Sequence, residues 1–244
     1  MRICKALLIV VDISGYTRFI TERSLTLEHA EQVISDLLNT VLDQSRHPLT
    51  LNKLEGDAAL LYAEIDEADP GTARPMLGQV RAFFPAFRDR VKALSALRQN
   101  CSCDACRNIT ALSLKAFVHC GEVLLKKIRQ FDELAGEPVI LVHRLMKNSI
   151  ASNEYVLLTD TVAELAGLDR SRLRSHVEEV DGMGRQSLWL ANGSDLPEWT
   201  PMTTSQAGSK ATARRSGVFR HLPLAQGGAG WLAAMRNWWT ARRA

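Results

Sequence analysis

The chain has 244 residues, of which 46% are hydrophobic and 23% charged, with a formal net charge of +3. This length allows one sizeable domain with an appendage, and the composition is typical of a globular protein. Five cysteines, an odd number, argue against a secreted disulfide scaffold. The first apolar run, residues 6–11, is too short to span a bilayer and follows no signal-peptide pattern. We therefore expect a cytoplasmic protein.

The charge is unevenly distributed along the chain. Residues 195–244 carry seven Lys or Arg against two Asp or Glu, a net charge of +5, which leaves −2 for residues 1–194. A slightly acidic body argues against binding to nucleic acid, so we expect no nucleic-acid partner. Any attraction to anionic surfaces belongs to the tail.

The first predicted element is a buried strand over about residues 5–12, which ends in Asp12. Its apolar run is rich in Val and Ile, as in core strands. Ser14 and Gly15 then turn the chain into a short helix over 16–21. A rigid carboxylate beside a turn whose N–H groups can approach an anion suits a metal–nucleotide site. The alternative is that Asp12 only caps the following helix.

Two long amphipathic helices are predicted over 26–44 and 76–97, the second bent by Pro85. Between them, a β-hairpin is predicted with strands over 49–55 and 57–65.

The predicted hairpin turns at Gly56-Asp57, which leaves its aspartate exposed yet rigidly placed. If the first strand lies beside the hairpin, Asp12 and Asp57 can share divalent cations. Two carboxylates and a backbone carbonyl make an oxygen site for Mg²⁺ or Mn²⁺. Two such ions activate an attacking hydroxyl and stabilise a leaving phosphate. Taken alone, Gly-Asp is also simply a good turn pair.

The second half of the chain predicts further short elements around one helix over 136–148. Gly121 is expected to turn a strand over 111–119 into another over 122–128. The later elements are a strand over 155–159, a helix over 161–166 and strands over 176–180 and 187–190.

This order predicts an α+β domain of the ferredoxin-like βαββαβ type over residues 1–191. Helices should cover one face of a mostly antiparallel sheet. A flexible linker is predicted over 192–226 and a basic amphipathic helix over 227–244. That helix places Trp, Leu and Met side chains on one face and suits a membrane surface or a partner protein. A helix folded back on the domain, or a disordered end, is the alternative.

Three motifs in this order resemble the class III adenylyl/guanylyl cyclase catalytic-domain superfamily. They are Asp-Ile-Ser-Gly-Tyr-Thr at 12–17, Lys-x-x-Gly-Asp at 53–57, and Gly-Glu-Pro-Val at 136–139 with an Arg in the following helix. The chain is similar to a bacterial branch that carries a Cys-x-Cys-x-Ala-Cys loop, here 101–106, and a Val-His-Arg-Leu-x-Lys-Asn helix, here 142–148. The resemblance covers most of the predicted domain.

The resemblance implies a homodimeric enzyme that binds ATP with two Mg²⁺ or Mn²⁺ ions and forms 3′,5′-cyclic AMP and pyrophosphate. The metal ligands it implies are Asp12, Asp57 and the carbonyl of Ile13, and the phosphate-holding turn is Ser14, Gly15, Tyr16 and Thr17. Lys53 and Glu133 would recognise the base and favour ATP. Arg144 of the opposite chain would stabilise the transition state.

Two positions depart from the family's pattern. Ile140 stands where the family has an Asn that positions the ribose, and Met183 where it has a second transition-state Lys. Each lost electrostatic donor can cost about a hundredfold in rate. Two hypotheses stay open: a nucleotidyl cyclase, or a degenerate cyclase-fold module that binds nucleotide or metal, or only dimerises.

The cysteine loop, within residues 99–108, has three interpretations: a Zn²⁺ site, a redox-sensitive thiol cluster, or plain loop residues. The candidate zinc ligands are Cys101, Cys103 and Cys106, completed by Cys120 or His119. His29 is expected at the surface, and His143 is expected near the dimer seam.

Overall fold

The structure, a computed structural model, describes residues 1–21, 27–66 and 70–198. The predicted linker beyond Glu198 and the predicted C-terminal helix over 227–244 lie outside the described residues. Within the described ranges, no helix has both the length and the apolarity needed to cross a bilayer.

A sheet of eight strands forms the centre of the domain. Its strands are β1 (Arg2–Ser14), β2 (Thr50–Glu55), β3 (Ala58–Glu64), β4 (Ser113–Ile128), β5 (Phe131–Ala135), β6 (Tyr155–Thr159), β7 (Arg174–Val180) and β8 (Gly184–Ala191). The strand order is β2-β3-β1-β4-β6-β8-β7, and β5 pairs with β4 outside this path. β4 and β6 run parallel, while the other pairs recorded in the described ranges are antiparallel.

Six α-helices connect these strands in the described part of the chain. They are α1 (Tyr16–Thr21), α2 (Leu27–Leu42), α3 (Ala73–Leu97), α4 (Asp104–Arg107), α5 (Glu137–Arg144) and α6 (Asp160–Leu165). The order β1-α2-β2-β3-α3-β4, with the four strands adjacent as β2-β3-β1-β4, is the βαββαβ arrangement. The predicted α+β class with a mostly antiparallel sheet is therefore confirmed.

Strand β1 is buried on both faces. Leu7, Ile9 and Val11 belong to one apolar cluster, and the residues between them to the other. Because successive strand side chains point to opposite faces, a strand covered on both sides is apolar throughout. The two long helices α2 and α3 cover the first face, as predicted, and the short α5 packs with the second cluster.

Strand β4 contradicts the predicted turn at Gly121. It runs unbroken from Ser113 to Ile128. A Cβ atom on Gly121 would lie 2.5 Å from Cγ of Pro138, at the start of α5. Glycine is therefore present because a helix packs closely onto the strand here. Strand β5 was not predicted, and α5 ends at Arg144, four residues before the predicted end.

Gly121→Ala should lower the free energy of unfolding by about 1–3 kcal/mol, the usual cost of forcing extra atoms into a packed core. Urea unfolding measures the change. Adding Pro138→Ala removes the ring atoms but leaves a Cβ contact at 3.0 Å, so the double variant should recover part of the loss. A Gly121→Ala protein as stable as the wild type would contradict this account of the glycine.

Residues 192–198, predicted as the start of the linker, instead pack on α3. Leu196 is only 2% exposed, and its carbonyl accepts a hydrogen bond from Nη1 of Arg81 at 2.8 Å. A Cβ on Gly193 would lie 2.9 Å from the ring of Phe84. Ordered packing therefore continues past β8, because an apolar residue beyond the last strand covers the helix.

Candidate functional site

The predicted metal ligands meet where β1 ends beside the β2–β3 hairpin. Asp12 pairs with Ala58, the residue directly after Asp57, and N–H of Ile13 donates to the Asp57 carbonyl at 3.1 Å. Residues directly opposite in an antiparallel pair have Cα atoms about 4.5–5.5 Å apart. The hairpin closes through the two-residue turn predicted at this point, with Gly56 at φ 67°. Two aspartates distant in sequence are therefore placed at adjacent strand ends.

Lys115 brings a positive charge to the same strand ends. It is the β4 partner of Asp12, and its Nζ lies 5.4 Å from the ring centre of Tyr155. Burial raises the pKa of the Tyr155 hydroxyl, and the charge of Asp12 adds to that increase. Lys115 was not among the residues that the sequence predicted for the site. Its place beside Asp12 follows from the β1–β4 register, which local patterns do not reveal.

The turn predicted to hold phosphates packs tightly in the fold. Gly15 has φ 94°, which favours glycine, and a Cβ there would lie 3.3 Å from the carbonyl oxygen of Ala111. Burial raises the pKa of the Tyr16 hydroxyl to about 12, helped by the negative charges of Glu31 and Asp57. Tyr16 therefore stays protonated near the hairpin aspartate. Of the other two turn residues, Ser14 is buried and Thr17 lies in the first turn of α1.

The two predicted base-recognising residues form an ion pair, with Nζ of Lys53 3.1 Å from Oε2 of Glu133. The amide of Asn52 also donates to the carbonyl of Asp132 at 2.9 Å, so the unpredicted β5 lies against β2. Both side chains of the ion pair are half-buried. One chain therefore assembles the whole predicted base-recognition pair.

The guanidinium of Arg144 lies beside the turn between β7 and β8. A Cβ on Gly182 would be 2.8 Å from Nη1 of Arg144, and Met183 follows in the same turn. The predicted transition-state arginine and the position of the family's lysine therefore come together. β6 begins beside Lys115, at the same end of the sheet as Asp12. Because β8 runs antiparallel to β6, the turn that precedes β8 lies at the opposite end of the sheet. Within one chain, Arg144 therefore does not lie near Asp12 and Asp57.

Two α5 residues near Arg144 differ in environment. Ile140, at the family's Asn position, is 51% exposed and offers no polar side-chain group. His143 Nδ1 donates to the Val139 carbonyl at 2.7 Å, and its Nε2 lies 3.1 Å from Oε2 of Glu55. Burial opposes protonation of His143, but the hydrogen bond and charge of Glu55 outweigh it and raise its pKa. His143 thus ties α5 to the edge of the hairpin.

The cysteine loop closes around a histidine from another element. The Sγ atoms of Cys101, Cys103 and Cys106 and one ring nitrogen of His29 all lie within 4.8 Å of one another. Burial raises the pKa of the Cys103 thiol, but hydrogen bonds from the Cys106 N–H and His29 lower it to about 6. His29, expected at the surface, is half-buried and lies against the cysteine loop. No local sequence signal links it to a loop about seventy residues away.

The two residues predicted to complete this cluster lie elsewhere. Cys120 is buried in β4 opposite Leu7, several residues along the strand from the cysteine loop. His119 points to the other face of β4, where its Nδ1 lies 3.0 Å from the hydroxyl of Thr159. The prediction that Cys120 or His119 is the fourth ligand was therefore wrong.

Burial lowers the pKa of His119 to about 4, so folding favours its neutral form. An unfolded histidine titrates near 6.5, so this stabilisation is complete above that pH and is lost as the pH falls toward 4. Between pH 7 and 4.5 we expect the wild type to lose about 2–3 kcal/mol more unfolding free energy than His119→Gln. Denaturant melts of both proteins at the two pH values measure this. Equal losses would show that His119 keeps an ordinary pKa.

The fold assembled around these residues is that of class III nucleotidyl cyclase catalytic domains. The crystal structure of the guanylyl cyclase Cya2 matches with a TM-score of 0.64 at 18% identity, covering 78% of this chain and 92% of that one. The adenylyl cyclase CyaB from P. aeruginosa matches with a TM-score of 0.60 at 16% identity, covering 78% and 95%. The resemblance seen in the motifs is confirmed at the level of the fold.

Sequence comparison then gives the family. Residues 34–155 match the family described as Protein of unknown function (DUF2652), and the chain belongs to it. It is also 33% identical to the uncharacterized protein Rv2561/Rv2562 of Mycobacterium tuberculosis over 176 residues. The aligned region covers 69% of this chain and 78% of that protein. The family thus includes a chain with the fold of a nucleotidyl cyclase.

Proposed function

We propose that this protein is a nucleotidyl cyclase that converts ATP to 3′,5′-cyclic AMP and pyrophosphate at the interface of a homodimer. The observation that carries the proposal is the meeting of Asp12 and Asp57 at adjacent strand ends on a cyclase fold.

The donor set at these strand ends suits two Mg²⁺ or Mn²⁺ ions. Asp12 and Asp57 offer carboxylate oxygens, and the Ile13 carbonyl completes a set of hard oxygen ligands. Bound ions would activate the 3′-hydroxyl and offset charge on the phosphates. In the reaction the 3′-oxygen bonds to the α-phosphorus, its proton leaves, and pyrophosphate departs with the electron pair of the broken P–O bond. Lys115 adds a fixed positive charge beside this triphosphate position.

Base selection rests on the ion pair of Lys53 and Glu133. A lysine donates to a ring nitrogen of adenine, and a carboxylate accepts from the exocyclic amine, so the pair matches the Watson–Crick edge of adenine. Guanine presents a carbonyl where adenine presents the amine, and this carbonyl would face the Glu133 carboxylate. ATP is therefore the favoured substrate.

A second copy of the chain completes the site in this proposal. Arg144 lies at the end of the sheet opposite Asp12, so its guanidinium must come from the partner to reach the same triphosphate. A two-fold dimer would create two equivalent sites, each with the aspartates of one chain and the arginine of the other.

Ile140 and Met183 favour a second candidate, a cyclase-fold module that binds nucleotide without turnover. The test incubates the purified full chain with Mn²⁺ and either ATP or GTP and identifies products by mass spectrometry. Cyclic AMP with equimolar pyrophosphate supports the cyclase. ATP binding without product would favour the module, and no binding of either nucleotide would overturn both.

A further inference from the structure

We propose that His29, Cys101, Cys103 and Cys106 form a structural Zn²⁺ site. The Nδ1 atom of His29 lies 3.6 Å from Sγ of Cys101, 3.6 Å from Sγ of Cys103 and 3.8 Å from Sγ of Cys106. The Sγ atoms of Cys101 and Cys103 are 3.5 Å apart. Three sulfurs thus surround one imidazole nitrogen, and each of these four atoms can bind a soft cation.

These separations match the edges of a zinc tetrahedron. Zn–S bonds of about 2.3 Å and Zn–N bonds of about 2.0–2.1 Å at tetrahedral angles give S···S edges of about 3.8 Å and S···N edges of about 3.6 Å. Four of the six edges of the cluster measure 3.5–3.8 Å, close to these values. All four candidate ligand atoms lie within 4.8 Å of one another.

Neighbouring groups support thiolate ligands at this position. The backbone N–H of Cys106 donates to Sγ of Cys103 at 3.4 Å, a contact that stabilises a ligating thiolate. Nη1 of Arg98 lies 3.9 Å from Sγ of Cys106, and its Nη2 donates to Gln32 at 3.0 Å. Three thiolates with Zn²⁺ leave one net negative charge, and the Arg98 guanidinium is placed to balance it.

A disulfide accounts less well for this arrangement. The Cys101 and Cys103 sulfurs are 3.5 Å apart, far beyond the bond length of about 2.05 Å. Any one disulfide would also leave a third thiol and a histidine nitrogen unexplained. Thiolate and imidazole ligands select zinc over Mg²⁺ or Ca²⁺. With all four positions filled by the protein, the ion has a structural role.

The proposed ion links distant segments beside the phosphate turn. His29 stands in the first turn of α2, while the cysteines lie between α3 and β4. The segment that follows the loop includes Ala111, whose carbonyl oxygen would lie 3.3 Å from a Cβ on Gly15. Zinc would therefore hold α2 against the α3–β4 connection and so stabilise the segment that packs against the β1–α1 turn.

The test measures metal in the full chain purified without chelator and then equilibrated with ZnSO₄ and desalted. Elemental analysis should find about one zinc per wild-type chain and per Cys4→Ser chain, since Cys4 lies far from the cluster in β1. Cys103→Ser and His29→Asn should each lose most of it. Less than about half an equivalent in the wild type would overturn the proposal.

A second measurement needs only the wild type, so it remains decisive if the variants fail to fold. Chemical modification of the thiols should release one zinc ion for every three thiols that the metal protects. A chromogenic chelator measures the released zinc. Zinc release without protection of these thiols, or a disulfide between Cys101 and Cys103, would contradict the site. Neither readout depends on cyclase turnover, so the zinc site and the proposed function can fail independently.

Discussion

Asp57→Asn should lower Mn²⁺-ATP turnover at least about a hundredfold while leaving the melting temperature nearly unchanged. The amide keeps the shape of the carboxylate but loses the charge that holds the cations and offsets the triphosphate repulsion. Cyclic AMP formed per minute by equal amounts of folded protein measures the effect. Raising the Mn²⁺ concentration should recover part of the activity if the loss lies in metal affinity.

Asp89→Asn is the matched control for this change. Asp89 is exposed on α3, where its carboxylate lies 3.5 Å from Nζ of Lys92, and a surface pair of this kind contributes little. The control should keep wild-type turnover. Turnover that survives Asp57→Asn at the control's level would remove the two aspartates from the mechanism.

Mixing two inactive variants should restore activity. Asp57→Asn supplies an intact Arg144, and Arg144→Ala supplies an intact Asp57, so a mixed dimer contains one complete site and one with both groups missing. If subunits exchange freely, half the dimers are mixed and half their sites are complete. An equal mixture should therefore reach about a quarter of the wild-type rate. The measurement is cyclic AMP formation after co-expression of the two chains.

The matched control is a mixture of Asp57→Asn with Asp12→Asn. In the proposed dimer both aspartates belong to the same half of each site, so every mixed site lacks one of them and no recovery is expected. Recovery of activity in this control mixture would contradict a site shared between chains. So would a lack of recovery in the first mixture, if the protein is shown to dimerise.

Local sequence patterns predicted the elements that carry the two aspartates. The apolar run before Asp12 predicted a core strand, and Gly56-Asp57 predicted the hairpin turn, because both signals involve neighbouring residues only. The two long helices were predicted for the same reason, since their apolar stripes repeat within a few residues.

Other predictions from local sequence were wrong because long-range packing decided the structure at those positions. Gly121 looks like a turn residue, yet it lies inside a strand because Pro138 packs against it. Leu196 looks like part of a linker, yet it covers α3. In both cases a glycine or a short polar segment has the same local preferences in either setting, and only the contacting element decides between them.

What the sequence determined by itself was the residue chemistry and the local turns: the aspartates, the Lys-x-x-Gly-Asp hairpin, the cysteine loop and the fold class. The tertiary structure decided how these residues are brought into contact. It paired Lys53 with Glu133, placed Arg144 by the β7–β8 turn, and brought His29 to the cysteines. The physical reason is that strand register and helix docking depend on burial summed over the whole chain, which no local pattern contains.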